Sequence, residues 1–515
     1  MKQILDIRNY KYFILSYLLP LTFGLRYDEW PVVFALPLIL LTGYHIMNTK
    51  YEVLGYLTNS KILTYIFLVQ IIGWILAFGC YFLSFKFGFD LLSYCQGIAH
   101  YAIDGNYYNQ SLNIKALCDH FTPFLLVFTP LFALSQTALW ILAAKLVCYF
   151  LSIIPLFKIS EYFKLTTLQK NGVIIMYLVF YPSSIFLTYD FHPSNFAILF
   201  IPLAFYLYLV NYQVLFYLVM ITMLTLKEQF GIVWISFGVY IFFFEKKYAK
   251  AVVFVLLGVI FSLLIFYKIT PFLAGCENFH KENYFAPFAN IPKKFEFIFN
   301  LIIGVGFLVV IDWRVLLFFL SSCALTFVSG QETMATIGFH YHDVPTAFLF
   351  LGAILVFKEF NLHKYGFINH FKFKNYYFLI FVVSMLFYNK QFATRYVKDN
   401  IPTKEHLDFY STCKLASSTL DKTKKLWVQN VLGIYFLNFK NLNSIQGLRS
   451  ITHTNEIIYK NSEVGQYIVL SDLVSKWPFD SEYEQLKNDL DTETLKGNYI
   501  KINKFENLLV YQKVK

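Results

Sequence analysis

A chain of 515 residues that is 57% hydrophobic, 20% aromatic and only 15% charged is too apolar to be one soluble globule. Its formal net charge of +11 does not call for nucleic acid, because the lysines sit mostly in short loops, where they set membrane orientation. Seven cysteines without a CxxC spacing exclude a zinc ribbon and leave disulfide pairing undecidable.

Apolar runs of roughly 15 to 24 residues recur from Tyr12 to Phe387, near the length a helix needs to cross hydrocarbon. Lipid cannot satisfy open strand edges, so these runs should be helical. No cleavable signal peptide is evident, since the first run leads straight into another.

Residues 12–27 and 31–48 read as a hairpin of two short helices. Lys2, Arg8 and Lys11 before it, with Lys50 and Lys61 after it, put both flanks inside. A helix over 62–85 then exits and delivers Phe89-Asp90 to the outer face. The loop 86–121 is too polar to span and should carry short interfacial helices. Residues 122–134, with Pro123 and Pro130, are expected to dip without crossing. Residues 137–157 return inward.

Helices over 172–188 and 194–211 enclose the outer turn Tyr189-Asp190-Phe191-His192-Pro193. A helix over 214–226 ends in Lys227-Glu228-Gln229, and one over 230–244 descends to Glu245-Lys246-Lys247. The helix over 250–269 rises to a loop holding Cys276, His280, Lys281, Lys293 and Lys294. Helices over 297–311 and 315–329 bracket Asp312-Trp313-Arg314 on the inside. His340-Tyr341-His342-Asp343 is outside again, ahead of a helix over 345–357, and the basic stretch Lys358 to Lys374 is cytoplasmic. A last helix over 376–390 makes roughly thirteen spans.

Beyond Tyr396 the composition becomes that of a soluble domain. Strand-like runs at 426–428, 434–436, 467–470, 499–502 and 508–511 alternate with helix-like stretches near 405–420 and 481–490. The expected fold is therefore an all-α polytopic membrane protein with a small C-terminal α/β domain outside the membrane. Its parts are a hairpin and inner loop over 1–61, a transmembrane core over 62–395, and the outer domain over 396–515. A multi-pass protein of the inner (cytoplasmic) membrane follows, with its N-terminus inside.

Ionisable groups at membrane depth cost about 2.5 to 3.5 kcal/mol on insertion scales, so their placement invites a functional reading. The topology puts Asp90, Gln96, Asp119, His120, Asp190, His192, Lys227, Glu228, His340 and His342 on one side. Asp90, directly after a helix, has the position of a general base or of a helix cap. Lys227 beside Glu228 suits a lipid phosphate, or else an ion pair or a snorkelling lysine. His340-x-His342 with Asp343, or Asp190 with His192, leaves room for a divalent metal.

Taken in order, these pieces resemble an uncharacterised prokaryotic family of predicted membrane proteins grouped with the GT-C glycosyltransferases. Phe89-Asp90-Leu91-Leu92-Ser93-Tyr94-Cys95-Gln96 resembles its Phe-Asp-Leu-Gly-x-Phe-x-Gln stretch, and His120-Phe121-Thr122-Pro123 its His-Phe-Ser-Pro. Phe191-His192-Pro193 is similar to its Phe-His-Pro, Lys227-Glu228-Gln229 to its Lys-Glu-Asp, and His340-Tyr341 to a late His-Tyr step. Leu92 stands in place of the glycine, Tyr94 of the phenylalanine and Gln229 of the closing acid.

The resemblance implies a GT-C fold, an acid in the first large outer loop as base, and a polyprenyl-phosphate-linked sugar as donor. Asp90 then takes the base's place. Lys227, with His120, His192 or His340, stabilises charge on the departing phosphate. Glu228 holds Lys227, while Gln96, Asp119, Asp190 and His342 bind substrate or support the site. The partners implied are the lipid-phosphate donor, membrane lipid and an acceptor, with no nucleic acid. A transporter or flippase, and a non-catalytic envelope protein with a membrane anchor, are the rival readings.

Overall fold

The computed structural model describes residues 60–278, 286–361, 401–445, 463–476 and 480–515. The expected hairpin over 12–48, the helix over 376–390, His280 and Lys281 lie outside the described residues.

The described chain is mostly helical up to residue 361. Four helices are long and apolar enough to cross a membrane: Leu139–Tyr162, Glu228–Glu245, Tyr248–Ala274 and His340–Glu359. Shorter apolar helices, among them Pro193–Leu209 and Gln213–Leu224, fill in around them. Roughly thirteen crossings is thus more than the described helices supply by length alone. Pro123–Leu134, bent where the 3-10 turn Pro123–Phe128 gives way to Thr129–Leu134, is twelve residues long and shorter than a crossing demands.

The single helix expected over 172–188 is two helices. Thr167–Val179 starts on a capping box in which Thr166 Oγ1 accepts from Gln169 N at 3.3 Å and Gln169 Oε1 accepts from Thr166 N at 2.9 Å. The chain leaves helical geometry at Phe180 and restarts as Tyr181–Thr188 with Pro182 in the first turn, where a missing N–H costs nothing.

Glu228–Glu245 and Tyr248–Ala274 pack backbone to backbone. A side chain on Gly231 would strike the carbonyl of Gly258, and one on Gly258 the carbonyl of Gly231. Small residues at a crossing of this kind are how apolar helices gain contact when lipid offers no hydrophobic contrast.

The axis of the bundle is His340–Glu359, 94% buried over its most apolar stretch. At its far end Arg314 pairs with Asp312 at 2.5 Å and Glu359 at 3.1 Å, and lies over the Phe244 ring at 5.3 Å. Both acids are buried, and the shared guanidinium keeps their charges compensated.

The C-terminal sheet runs in the order β4-β3-β5-β7-β6, with strands Leu426–Val428 (β3), Leu442–Ser444 (β4), Tyr467–Leu470 (β5), Tyr499–Lys501 (β6) and Leu509–Lys513 (β7); β1 and β2 are the two-residue hairpin Tyr108–Asn109 and Ile114–Lys115. Strand β3 pairs parallel with β4 and β5, and β7 pairs antiparallel with β5 and β6. The strand expected at 434–436 is instead a turn after the short helix Asn430–Gly433. Its aromatics face the core shared with the helices: the Tyr435 ring lies tilted against Phe85, with centres 4.7 Å apart, and Phe82, at 5.1 Å. The second parallel strand is Leu442–Ser444, a polar run without the alternation that marks a strand in sequence.

Alternation within the sheet decides how the domain sits. Leu426, Val428, Tyr467 and Val469 belong to the same continuous apolar core as the membrane helices. Trp427, Ile468 and Leu470 point to the other face, covered by Asp480–Leu495 through Leu486 and Leu490. The domain is therefore fused to the bundle through a shared core. Gly433 presses against Leu92 so closely that a side chain there would overlap the leucine.

Candidate functional site at one end of the bundle

Helix Phe89–Asp104 starts after Gly88 and has no cap from its own flank. Asp190, about a hundred residues later, supplies one. Its Oδ1 accepts from Gly88 N at 2.6 Å and its Oδ2 from Asp90 N at 3.2 Å. A carboxylate closing a helix start satisfies orphan N–H groups and meets the positive end of the dipole. Gly88 makes room for it, since a Cβ there would meet Asp190 Oδ2 at 3.0 Å. Asp190 therefore holds the helix, and burial, with the charge of Asp90 beside it, raises its carboxyl above the usual range.

Asp90 lies in the first turn of that helix, half-buried, and its Oδ2 accepts from the Tyr189 hydroxyl at 2.9 Å. Tyr189 is itself fixed from behind, where buried Lys145 donates to its carbonyl at 2.8 Å.

Lys227-Glu228-Gln229 occupies the junction between Gln213–Leu224 and the Glu228–Glu245 helix. The Glu228 carboxylate reaches back to the loop after Ala116–Asp119, taking His120 Nδ1 at 2.9 Å and Phe121 N at 3.0 Å. Lys227 goes elsewhere. Its Nζ lies 3.1 Å from His192 Nε2 and 5.7 Å from the centre of the Tyr341 ring. Among the described residues no carboxylate oxygen lies within ion-pairing distance of that ammonium, which is only 1% exposed as a residue. Burial lowers the Lys227 pKa, opposed by the field of Glu228, Asp119, Asp90 and Asp343.

Three imidazoles close the cluster. His192 and His340 stack with centroids 3.5 Å apart and planes 6° from parallel, while His120 stands edge-on to His192 at 5.7 Å. Burial and the neighbouring Lys227 lower the pKa of His120, with Glu228 and Asp119 pulling the other way. Both ring nitrogens of His340 are buried and have no hydrogen-bond partner among the described residues. They border a small cleft shared with Gln229, Ser194, Tyr341, Ser322 and Thr326.

The structure thus gathers Asp90, His120, His192, Lys227, Glu228, His340 and Asp190 at one end of the bundle. Asp119, half-buried in the short helix Ala116–Asp119, adds its charge from the rim. Gln96 is turned away: its Oε1 accepts from Ser111 N at 3.0 Å and Ser111 Oγ at 2.9 Å, and its Nε2 donates to the carbonyl of Leu442. It ties the helix of Asp90 to the C-terminal sheet. His342 lies deeper, its Nδ1 3.9 Å from Asp343 Oδ1. Among the described residues no group of three or more His, Cys, Asp or Glu side chains is arranged to hold a metal ion.

Several members had not been assigned a role from the sequence. Tyr94 lies one helical turn beyond Asp90 and so shares its face; its hydroxyl is 2.9 Å from His192 Nε2. Tyr189, Ser194 and Asn195 flank motifs that were recognised. Lys145, the one lysine in the apolar helix Leu139–Leu151, carried a signal in its depth alone. The disulfide Cys118–Cys276, with Cα atoms 5.9 Å apart, fastens the segment just before His120 to the chain beyond Tyr248–Ala274.

Residues 84–422 match the family described as Predicted membrane protein (DUF2079). The chain belongs to this family. The match begins just before the helix of Asp90, takes in every residue of the cluster and runs past the Lys404–Thr419 helix. No curated protein matches the chain.

Proposed function

We propose that this DUF2079 protein is an inverting, GT-C-type glycosyltransferase that moves a sugar from a polyprenyl-phosphate carrier to an acceptor at the outer face of the membrane. The observation that carries the reading is Lys227: a buried ammonium, hydrogen-bonded to an imidazole and, among the described residues, with no carboxylate within ion-pairing distance, in the same cluster as Asp90. A buried cation with no direct ion-pair partner is costly, and an anionic ligand can supply that partner. A phosphate carried at the membrane surface is such a ligand.

Asp90 accepts the proton of the acceptor hydroxyl as that oxygen attacks the anomeric carbon. The bond from that carbon to the phosphate oxygen breaks, and its electron pair leaves with the lipid phosphate. Lys227, held by His192 and with His120 or His340 beside it, stabilises the gathering charge. Tyr189 orients Asp90, and Asp190 fixes the helix that carries it.

Two features support transfer over transport. The polar groups collect at one end, while Arg314, Asp312 and Glu359 pair with one another at the other end. A disulfide next to the site fits an oxidising compartment.

The test is release of polyprenyl phosphate from a panel of polyprenyl-phosphate sugars by the purified protein in lipid. Asp90→Asn should abolish release with membrane insertion unchanged, and Lys227→Met should weaken polyprenyl-phosphate binding more than Lys227→Arg. Near-normal turnover by Asp90→Asn ends this reading.

A further inference from the structure

His192 stands in a hydrogen-bonded chain that runs from Lys227 past the groups of the transfer step to Asp343. On one side, His192 Nδ1 lies 3.1 Å from Ser194 Oγ, and Ser194 Oγ lies 2.8 Å from Asp343 Oδ2. Asn195 Nδ2 donates to the same Oδ2 at 2.7 Å. On the other side, Nε2 lies 3.1 Å from Lys227 Nζ and 2.9 Å from the Tyr94 hydroxyl. All six residues are buried, so water does not compete for these positions.

The chemistry of the donors sets the direction of the chain. Asp343 Oδ2 already accepts from Asn195 Nδ2, and an ionised carboxylate has no proton to give, so with Asp343 ionised the single hydroxyl proton of Ser194 points at it. Ser194 Oγ then offers only lone pairs to the imidazole, and Nδ1 must carry the proton. A neutral imidazole has one N–H, which leaves Nε2 as an acceptor facing an ammonium, which can only donate, and a phenol, which can donate as well as accept. The competing contact, from Ser194 N to Nδ1, needs an unprotonated Nδ1 and is longer at 3.4 Å.

We infer that Asp343, acting through Ser194, fixes the tautomer of His192, and that His192 thereby holds the ammonium of Lys227 in place. Asp343 and Ser194 are positioning residues. They aim the remaining N–H groups of Lys227 away from the imidazole, toward whatever anion enters. This assignment rests on the proposed reading only in making that anion a lipid phosphate.

The measurement is the nitrogen NMR spectrum of the full chain in lipid nanodiscs, labelled with ¹⁵N at histidine, with His192 identified by the signal lost in His192→Gln. The native protein should show a protonated Nδ1 and an unprotonated Nε2 at His192. Ser194→Ala should shift both signals toward the other tautomer, and Ser194→Thr, which restores the hydroxyl, should restore the native pattern. Asp343→Asn should act like Ser194→Ala; if it fails to fold, the serine pair decides alone. A protonated Nε2 in the native protein, or an unchanged tautomer in Ser194→Ala, overturns the inference. A native tautomer as stated in a protein that releases no polyprenyl phosphate leaves the inference standing and removes the transferase reading.

Discussion

The backbone N–H of Asp90 is bound, at 3.2 Å, by the carboxylate of Asp190, so one acid of the site places the other. The two lie a hundred residues apart, Asp90 in the first turn of its helix and Asp190 in the turn after Tyr181–Thr188, and their charges repel. The arrangement persists because the carboxylate of Asp190 also faces Gly88 N at 2.6 Å and the positive end of a helix. Asp190→Ala should remove the cap and destabilise the bundle by about 1 kcal/mol. Asp190→Asn, which can still accept, should lie between the two. Reversible unfolding in mixed micelles measures this order, and equal stability of all three would show that the cap contributes nothing.

His120 makes stability depend on pH in a stated direction. Its pKa in the fold is lowered from 6.5, chiefly by burial and then by Lys227. The folded state thus favours the neutral ring. The unfolded chain binds the proton first, so the contribution is present above about 6.5 and is lost as pH falls toward the folded value. The melting temperature should drop between pH 7.5 and 5.5. In His120→Gln, which keeps a donor for Glu228, the drop should be smaller; an equal drop would assign the pH response to other groups.

Cys118 and Cys276 are paired, whereas Cys80, Cys95, Cys148, Cys323 and Cys413 are free thiols. Denatured protein should take up five maleimide labels before reduction and seven after it. Seven labels without reductant would mean the bond is absent in the cell. Cys118→Ser should cost about 2 to 4 kcal/mol, with the segment around Asp119 and His120 becoming more open to proteolysis.

The C-terminal domain should not behave as a separate unit. Gly433 lies against Leu92, on the helix that carries Asp90. Gly433→Val overpacks that contact at a cost of about 1 to 3 kcal/mol. The change should lower the melting temperature of bundle and domain together. Two separate transitions in the native protein would contradict the shared core.

Membrane class, most helix positions and four of the five strands of the C-terminal sheet were legible in the sequence, because each is written in local hydrophobic pattern. The grouping of Asp90, His120, His192, Lys227 and His340 was legible too, since counting helices places their loops at one end. What pattern does not carry is the use of each side chain. Asp190 and Gln96 are expected to bind substrate or support the site, and only the structure names their partners: backbone N–H groups of the helix of Asp90 for one, Ser111 and Leu442 for the other. Such partners lie up to several hundred residues away and are set by packing. The strand at 442–444 was missed because it is polar, and 434–436 was mistaken for one because its aromatics serve the membrane core.

The helix His340–Glu359 has one terminus in the stacked imidazoles and the other in the pairing with Arg314. A helix turns about 100° and advances 1.5 Å with every residue. Its residue count is therefore a gauge: one residue inserted between Pro345 and Lys358 would swing His340 out of the stack or drag Glu359 from its guanidinium. Drift in this family should accordingly be easier to accommodate as substitutions along that rod than as changes in its length.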